Sequence, residues 1–128
     1  MLIIRKEQIQ HFIAKDDAEL AVVIAAAIRE TCTGRVEPYD DATLAEMVKI
    51  GISRARSHKL DAAEDIAAFV AVMFEVAPRF DEQPDIRALL ADETFSPSIR
   101  FFNLFDRVQD AAWLEAEKRY DDTFWFTK

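Results

Sequence analysis

The sequence predicts an all-α fold: a compact five- or six-helix domain packed around one buried central helix. Three observations carry this expectation. There are only two Gly and four Pro among 128 residues, too few breakers for a strand-and-turn protein. Half of the chain (51%) is apolar, with ten Phe and two Trp, so a sizeable core can be buried and disorder over most of the length is excluded. Residues 66–77 contain a single non-apolar residue, Glu75. A helix over that run has no polar face and must be covered on most sides. It is also too short to span a bilayer, which takes about 20 apolar residues. Length and the absence of linkers, repeats or low-complexity stretches indicate one domain, 1–128.

The elements follow in order. Leu2, Ile3 and Ile4 form an apolar lead, either extended or opening the first helix. Residues 5–15 read as a helix, with Ile9, Phe12 and Ile13 on one face. Asp16-Asp17 is a break and restart, and residues 18–32 form a second helix. Nine consecutive apolar residues, 20–28, predict that this helix is largely buried. A continuous helix over 5–32 is the competing reading. Residues 33–39 connect, with Gly34 at a helix C-terminus and Pro38 beyond it. Asp40 or Asp41 caps a third helix running to about Ser57. Its stripe is Leu44, Met47, Val48, Gly51, Ile52 and Ala55, spaced at the helical period. Gly51 costs about 1 kcal/mol there relative to Ala, which points to close approach of another helix. Lys49, Arg54 and Arg56 lie off the stripe and are expected in solvent.

His58-Lys59-Leu60 makes a short turn into the central helix, 61–77. Asp61 and Glu64 have the spacing of a capping box. Pro78 ends that helix, and Phe80 returns to the core as an anchor. Pro84 opens a short helix to Ala91, with Ile86, Leu89 and Leu90 inward. Ser96-Pro97 is an N-cap followed by an N1 proline, and starts the longest helix, 97 to about 120. Its core stripe is Phe101, Leu104, Phe105, Val108, Ala111 and Ala112.

The inventory for catalysis is thin. His11 has no ligand-type partner at i+3 or i+4, and His58 sits in a turn near Asp61, Glu64 and Asp65, where a solvated side chain is the expectation. Asp40-Asp41, Asp81-Glu82-Asp85 and Asp121-Asp122 lack the spacing and central Gly of a calcium loop and fit helix starts and surface charge. No phosphate-cradling glycine loop or nucleophile elbow is present. The chain therefore reads as non-enzymatic, with no catalytic, cofactor-binding or metal residues and no cofactor. Cys32 is the sole cysteine and fits a small buried hydrophobe in a reducing compartment. The first residues lack the apolar core of a signal peptide. A cytoplasmic protein without a membrane span is expected.

Net charge is −8, and it is uneven. Residues 1–60 balance nine Lys/Arg against nine Asp/Glu, whereas residues 61–128 hold seven against fifteen. This excludes a phosphate-backbone reader and leaves solubility or a basic protein partner. A candidate binding surface lies on the 97–120 helix. Phe102 and Trp113 are eleven residues apart, about three turns, so they share a face off the core stripe. Asp106 and Gln109 lie between them, with Asp110 and Glu117 adjoining. Aromatics are enriched in interface cores. The competing reading tucks both rings under neighbouring helices. Phe124, Trp125 and Phe126 at the end of the chain either fold back on the core or dock on another chain. A homodimer through this helix or the aromatic tail fits the same features.

Residues 47–90 resemble a family of small all-helical bacterial accessory proteins encoded beside type VI secretion spike, tip and effector genes. The likeness rests on Ile50-Gly51-Ile52 with Arg54 and Ala55, on Glu64-Asp65-Ile66, and on Met73-Phe74, Phe80-Asp81 and Pro84. Ile4, Arg5, Glu7 and Gln8 also look like that family's start. The family commonly has Tyr-Gly-Ile where this chain has His58-Lys59-Leu60, and Gly where Ala77 or Pro78 stands here. The resemblance implies an accessory role at a toxin-delivery locus and supplies no functional residues. Two roles fit: an adaptor or chaperone for a secreted effector or spike component, or an immunity protein neutralising a cognate toxin.

Overall fold

The computed structural model describes residues 16–126, apart from Cys32 and the side chain of Thr33. The expectations for residues 1–15, His11 included, and for Cys32 lie outside the described residues. The chain folds as α1 (Asp17–Thr31), α2 (Thr33–Val36), α3 (Asp41–Ser57), α4 (Ala63–Glu75), a 3₁₀ turn (Phe80–Glu82), α5 (Pro84–Leu90), α6 (Pro97–Arg107), α7 (Asp110–Lys118) and a second 3₁₀ turn (Asp122–Phe126). No strand occurs among the described residues, so the fold is all-α.

Local chemistry sets most helix starts. Asp16 Oδ1 accepts the Glu19 N–H at 2.9 Å at the head of α1. Asp40 Oδ1 accepts the Thr43 N–H at 2.8 Å at the head of α3. Gln83 caps α5 through Ile86 N–H, and Ser96 caps α6 through Ile99 N–H, each with Pro at the first helical position. α4 is the exception. Its N-cap is Ala62, without a side-chain bond, so the expected Asp61–Glu64 box does not form. The reason lies in the preceding turn. His58, Lys59 and Leu60 close α3 by bonding back to the carbonyls of Ala55 and Arg56, and the chain leaves that closure extended until Ala62.

α4 is the centre of the core: all nine residues from Ile66 to Phe74 are buried. α1 and α3 pack against each other and against α4, while α5 pairs with α6 and with the first 3₁₀ turn. Every residue of the α3 stripe is buried, and Gly51 explains itself. A Cβ at Gly51 would lie 3.0 Å from Val70 Cγ2 and 3.2 Å from its Cγ1, so α3 sits directly on α4. Phe69 anchors the interior, with ring centroids 4.9 Å from Phe80 and 5.7 Å from Phe101. Arg29 fastens α1 to the α2–α3 connection, donating to Tyr39 O at 2.7 Å and pairing with Asp41 at 3.1 Å.

The 20–28 run of α1 is largely buried as expected, six of its nine residues being buried, with Val22 (63% exposed) and Ala26 facing outward. Three further expectations are corrected. The 33–39 connector contains the helical turn α2, and Gly34 lies within that turn without a positive φ. Arg54 is only partly exposed, and His58 and Asp81 are drawn inward with it, as described below. The 97–120 helix is two helices. Val108 is extended (φ −80°, ψ 129°) and Gln109 is the N-cap of α7. α7 packs on the 80–82 turn. Ala112 stays inward as the stripe predicts and Ala116 joins it, whereas Ala111 is exposed.

Candidate functional site

Two constellations stand out. The first joins elements distant in sequence. Asp81, 5% exposed, lies in the first 3₁₀ turn. Arg54, near the end of α3, donates to Asp81 Oδ1 at 2.7 Å through Nη2 and to Oδ2 at 3.0 Å through Nε. His58 Nε2 lies 2.8 Å from Asp81 Oδ2, its ring against Phe69 at 5.4 Å. Arg54 also reaches Glu82 at 2.8 Å, and Phe124 covers its guanidinium. Burial raises the Asp81 pKa, but the hydrogen bonds and charges of His58 and Arg54 outweigh it and hold the carboxyl below its ordinary range. Burial works to lower the Arg54 pKa, but the hydrogen bonds and charges of Asp81 and Glu82 outweigh it and push it up. Both Asp81 oxygens are engaged by donors within the protein. The cluster is thus a clamp fastening α3 to the turn after α4, and neither oxygen is aimed at a ligand.

The second constellation is the surface of α6 and α7. The structure brings Phe102 and Trp113 together, though not along one helix. Phe102, 41% exposed, is 6.1 Å from Phe105, which stacks on Trp113 at 5.9 Å and 12°. Trp113 is half-buried and also stacks on Phe80 at 6.3 Å. Beside this aromatic row runs a groove of about 500 Å³ lined by Phe105, Val108, Trp113, Leu114 and Val76, with Glu75, Asp110 and Glu117 at its edge. Leu114 is 55% exposed. Of the expected surface residues, Asp110, Trp113 and Glu117 line this groove, whereas Phe102, Asp106 and Gln109 are exposed outside its lining.

The tail divides. Trp125 is 2% exposed and stacks on Phe74 at 4.4 Å, so it serves the core. Its indole N–H has no partner of normal geometry among the described residues. It still lies close enough to the Tyr120 hydroxyl to offset part of the pKa rise that burial imposes there. Phe124 is half-buried between Arg54 and Arg79 and lines a different groove on α3.

Sequence reasoning missed Leu114 as a surface residue, Glu75 as part of the groove lining, and the second role of Phe105, which packs against the core as expected but also lines the groove. Glu75 did carry a signal: a lone carboxylate in an apolar run has to reach water or a partner. The Asp81 clamp carried none, since Arg54 and His58 are 27 and 23 residues away from it. No group of three or more metal-type ligands occurs among the described residues, and no helix there is long and apolar enough to cross a membrane. Comparison with known protein families, with characterised proteins and with solved structures found no match.

Proposed function

We propose that the protein is a non-enzymatic protein-binding module, an adaptor or chaperone for a secreted effector or spike component of a type VI secretion system. The observation that carries the binding role is the α6–α7 surface. An aromatic row, an exposed Leu114 and three carboxylates adjoin on one face, the mixture of apolar anchor and charged rim that protein interfaces use. The resemblance of residues 47–90 to accessory proteins of such loci supplies the setting. The residues that carry the likeness have structural work in this fold: Gly51 seats α3 on Val70, Arg54 clamps Asp81, and Phe80 fills the core.

The test is co-expression of the chain with the products of adjacent spike, tip and effector genes, followed by affinity purification. One neighbour should co-purify with the wild type and be weakened by Phe102→Ala and Leu114→Ala, exposed positions where truncation leaves the melting temperature within a few degrees. If no neighbour co-purifies, the reading fails. Loss of effector secretion on deletion, without loss of self-protection, is the adaptor outcome. Protection of cells from the co-expressed toxin would assign the immunity role instead, which the acidic second half also fits for a basic toxin.

A further inference from the structure

Among the surface grooves formed by described residues, the charges differ. The groove between α1 and α3 mixes Arg29 with Glu30 and Asp41. The groove on the outer face of α3 mixes Lys49 and Arg54 with Glu46. The α4–α7 groove is different: among the described residues its charged lining is Glu75, Asp110 and Glu117, with no Lys, Arg or His. Phe105, Trp113 and Leu114 share that lining.

From this arrangement we infer that the α4–α7 groove binds a short basic amphipathic segment of a protein partner. An apolar side chain seats against Trp113 and Leu114, and flanking Lys or Arg side chains meet Asp110 and Glu117. The inference rests on the binding-module reading and names the chemistry of what is bound. Two other occupants are disfavoured by the same charges. A nucleic acid would bring phosphates to carboxylates. A second copy meeting this face through a two-fold axis would set the same acids against themselves. A basic partner gains attraction at the rim, which steers its approach, while the apolar contact supplies residence time.

The experiment is fluorescence anisotropy on the full chain with two labelled probes, a short amphipathic Lys/Leu peptide and its Glu/Leu counterpart. The Lys/Leu peptide should bind and the Glu/Leu peptide should not. Asp110→Asn with Glu117→Gln should weaken the Lys/Leu complex about tenfold. Glu37→Gln with Glu93→Gln removes the same charge from exposed sites outside the groove and should change it by less than about twofold. Leu114→Lys, at an exposed position, should abolish binding while the protein melts as before. It decides the matter if the Asp110–Glu117 double variant lowers stability. Equal losses in both double variants, no loss in either, or equal binding of the two peptides would overturn the inference. The outcomes separate from those of the parent reading. If a neighbouring gene product co-purifies regardless of the groove variants, the groove assignment falls and the binding module stands. If none co-purifies, the binding module falls and the peptide measurements alone decide what the groove recognises.

Discussion

Lys59 carries a positive φ, 68°, rare for a side chain with a Cβ. Its neighbours require it. The Leu60 N–H reaches the Ala55 carbonyl at 3.4 Å and the Lys59 N–H reaches the Arg56 carbonyl at 2.9 Å. Those two bonds close α3 only if the residue between them is left-handed. Burial of Leu60 holds the turn against the cost. Lys59→Gly should therefore stabilise the protein by about 0.5–1 kcal/mol, the steric relief exceeding the added unfolded-state entropy. An unchanged or lower midpoint in denaturant melts would refute this. Asp81 gives the opposite case, a residue whose removal is costly. Arg54→Ala leaves a buried carboxylate with only His58 beside it and should cost about 2–4 kcal/mol, somewhat below a fully buried pair because Arg54 is partly exposed. The pH dependence follows from the sign of the shift. The folded-state pKa of Asp81 is depressed, so the unfolded chain binds the proton more readily. The clamp's contribution is complete above the unfolded pKa of about 3.9 and is lost as pH falls through the lower folded value. In acid unfolding curves, Asp81→Asn should start less stable and lose less between neutral pH and pH ~2 than the wild type does; parallel curves would show that the clamp does not titrate as described.

At the scale of elements, the helical period and the caps of α3 and α6 were legible because both are written within a few residues. The six-residue stripe of α3 is buried throughout, and Asp40 and Ser96 cap the helices that they precede. What was not legible is set by contacts across the chain. Nothing between Phe105 and Ala112 announces a break by composition, since no Gly or Pro occurs there. α7 departs to pack on the 80–82 turn, where the Trp113 ring stacks on Phe80, a tertiary gain that outweighs helix propensity. The candidate surface shows the same division. Its residue types were readable, but the row Phe102–Phe105–Trp113 exists because two helices meet. Gly51 tests how tightly elements are fitted. Substitution by Ala gains about 1 kcal/mol in helix propensity but forces a methyl against the branched, buried Val70, and overpacking of this kind costs about 1–3 kcal/mol. Gly51→Ala should therefore destabilise, and should do so less, or not at all, in a Val70→Ala background. Additive effects in that double-mutant cycle would mean that the two helices do not touch as described.

Over the whole molecule, the net charge lies in the second half of the chain, but the α6–α7 segment, residues 97–119, is itself balanced: Asp106, Asp110, Glu115 and Glu117 stand against Arg100, Arg107, Lys118 and Arg119. What is one-signed is the lining of the α4–α7 groove, whose charged side chains among the described residues are acids. A basic ligand near that groove is drawn to those acids over a range set by screening. At contact it meets Trp113 and Leu114, whose attraction does not depend on salt. These two ranges predict a kinetic separation. For the Lys/Leu peptide, the association rate should fall steeply, by about tenfold or more, as ionic strength rises from ~20 mM to ~300 mM, because the screening length shrinks from beyond the groove to within it. The dissociation rate should change by no more than about threefold, since the apolar seat is what holds the peptide once bound. Leu114→Ala should reverse the pattern, raising the dissociation rate while leaving the salt slope of association as in the wild type. Stopped-flow anisotropy measures both rates. A dissociation rate that climbs with salt as steeply as association falls would mean that the peptide is held by charge alone. Leu114 would then be exposed for some purpose other than this contact.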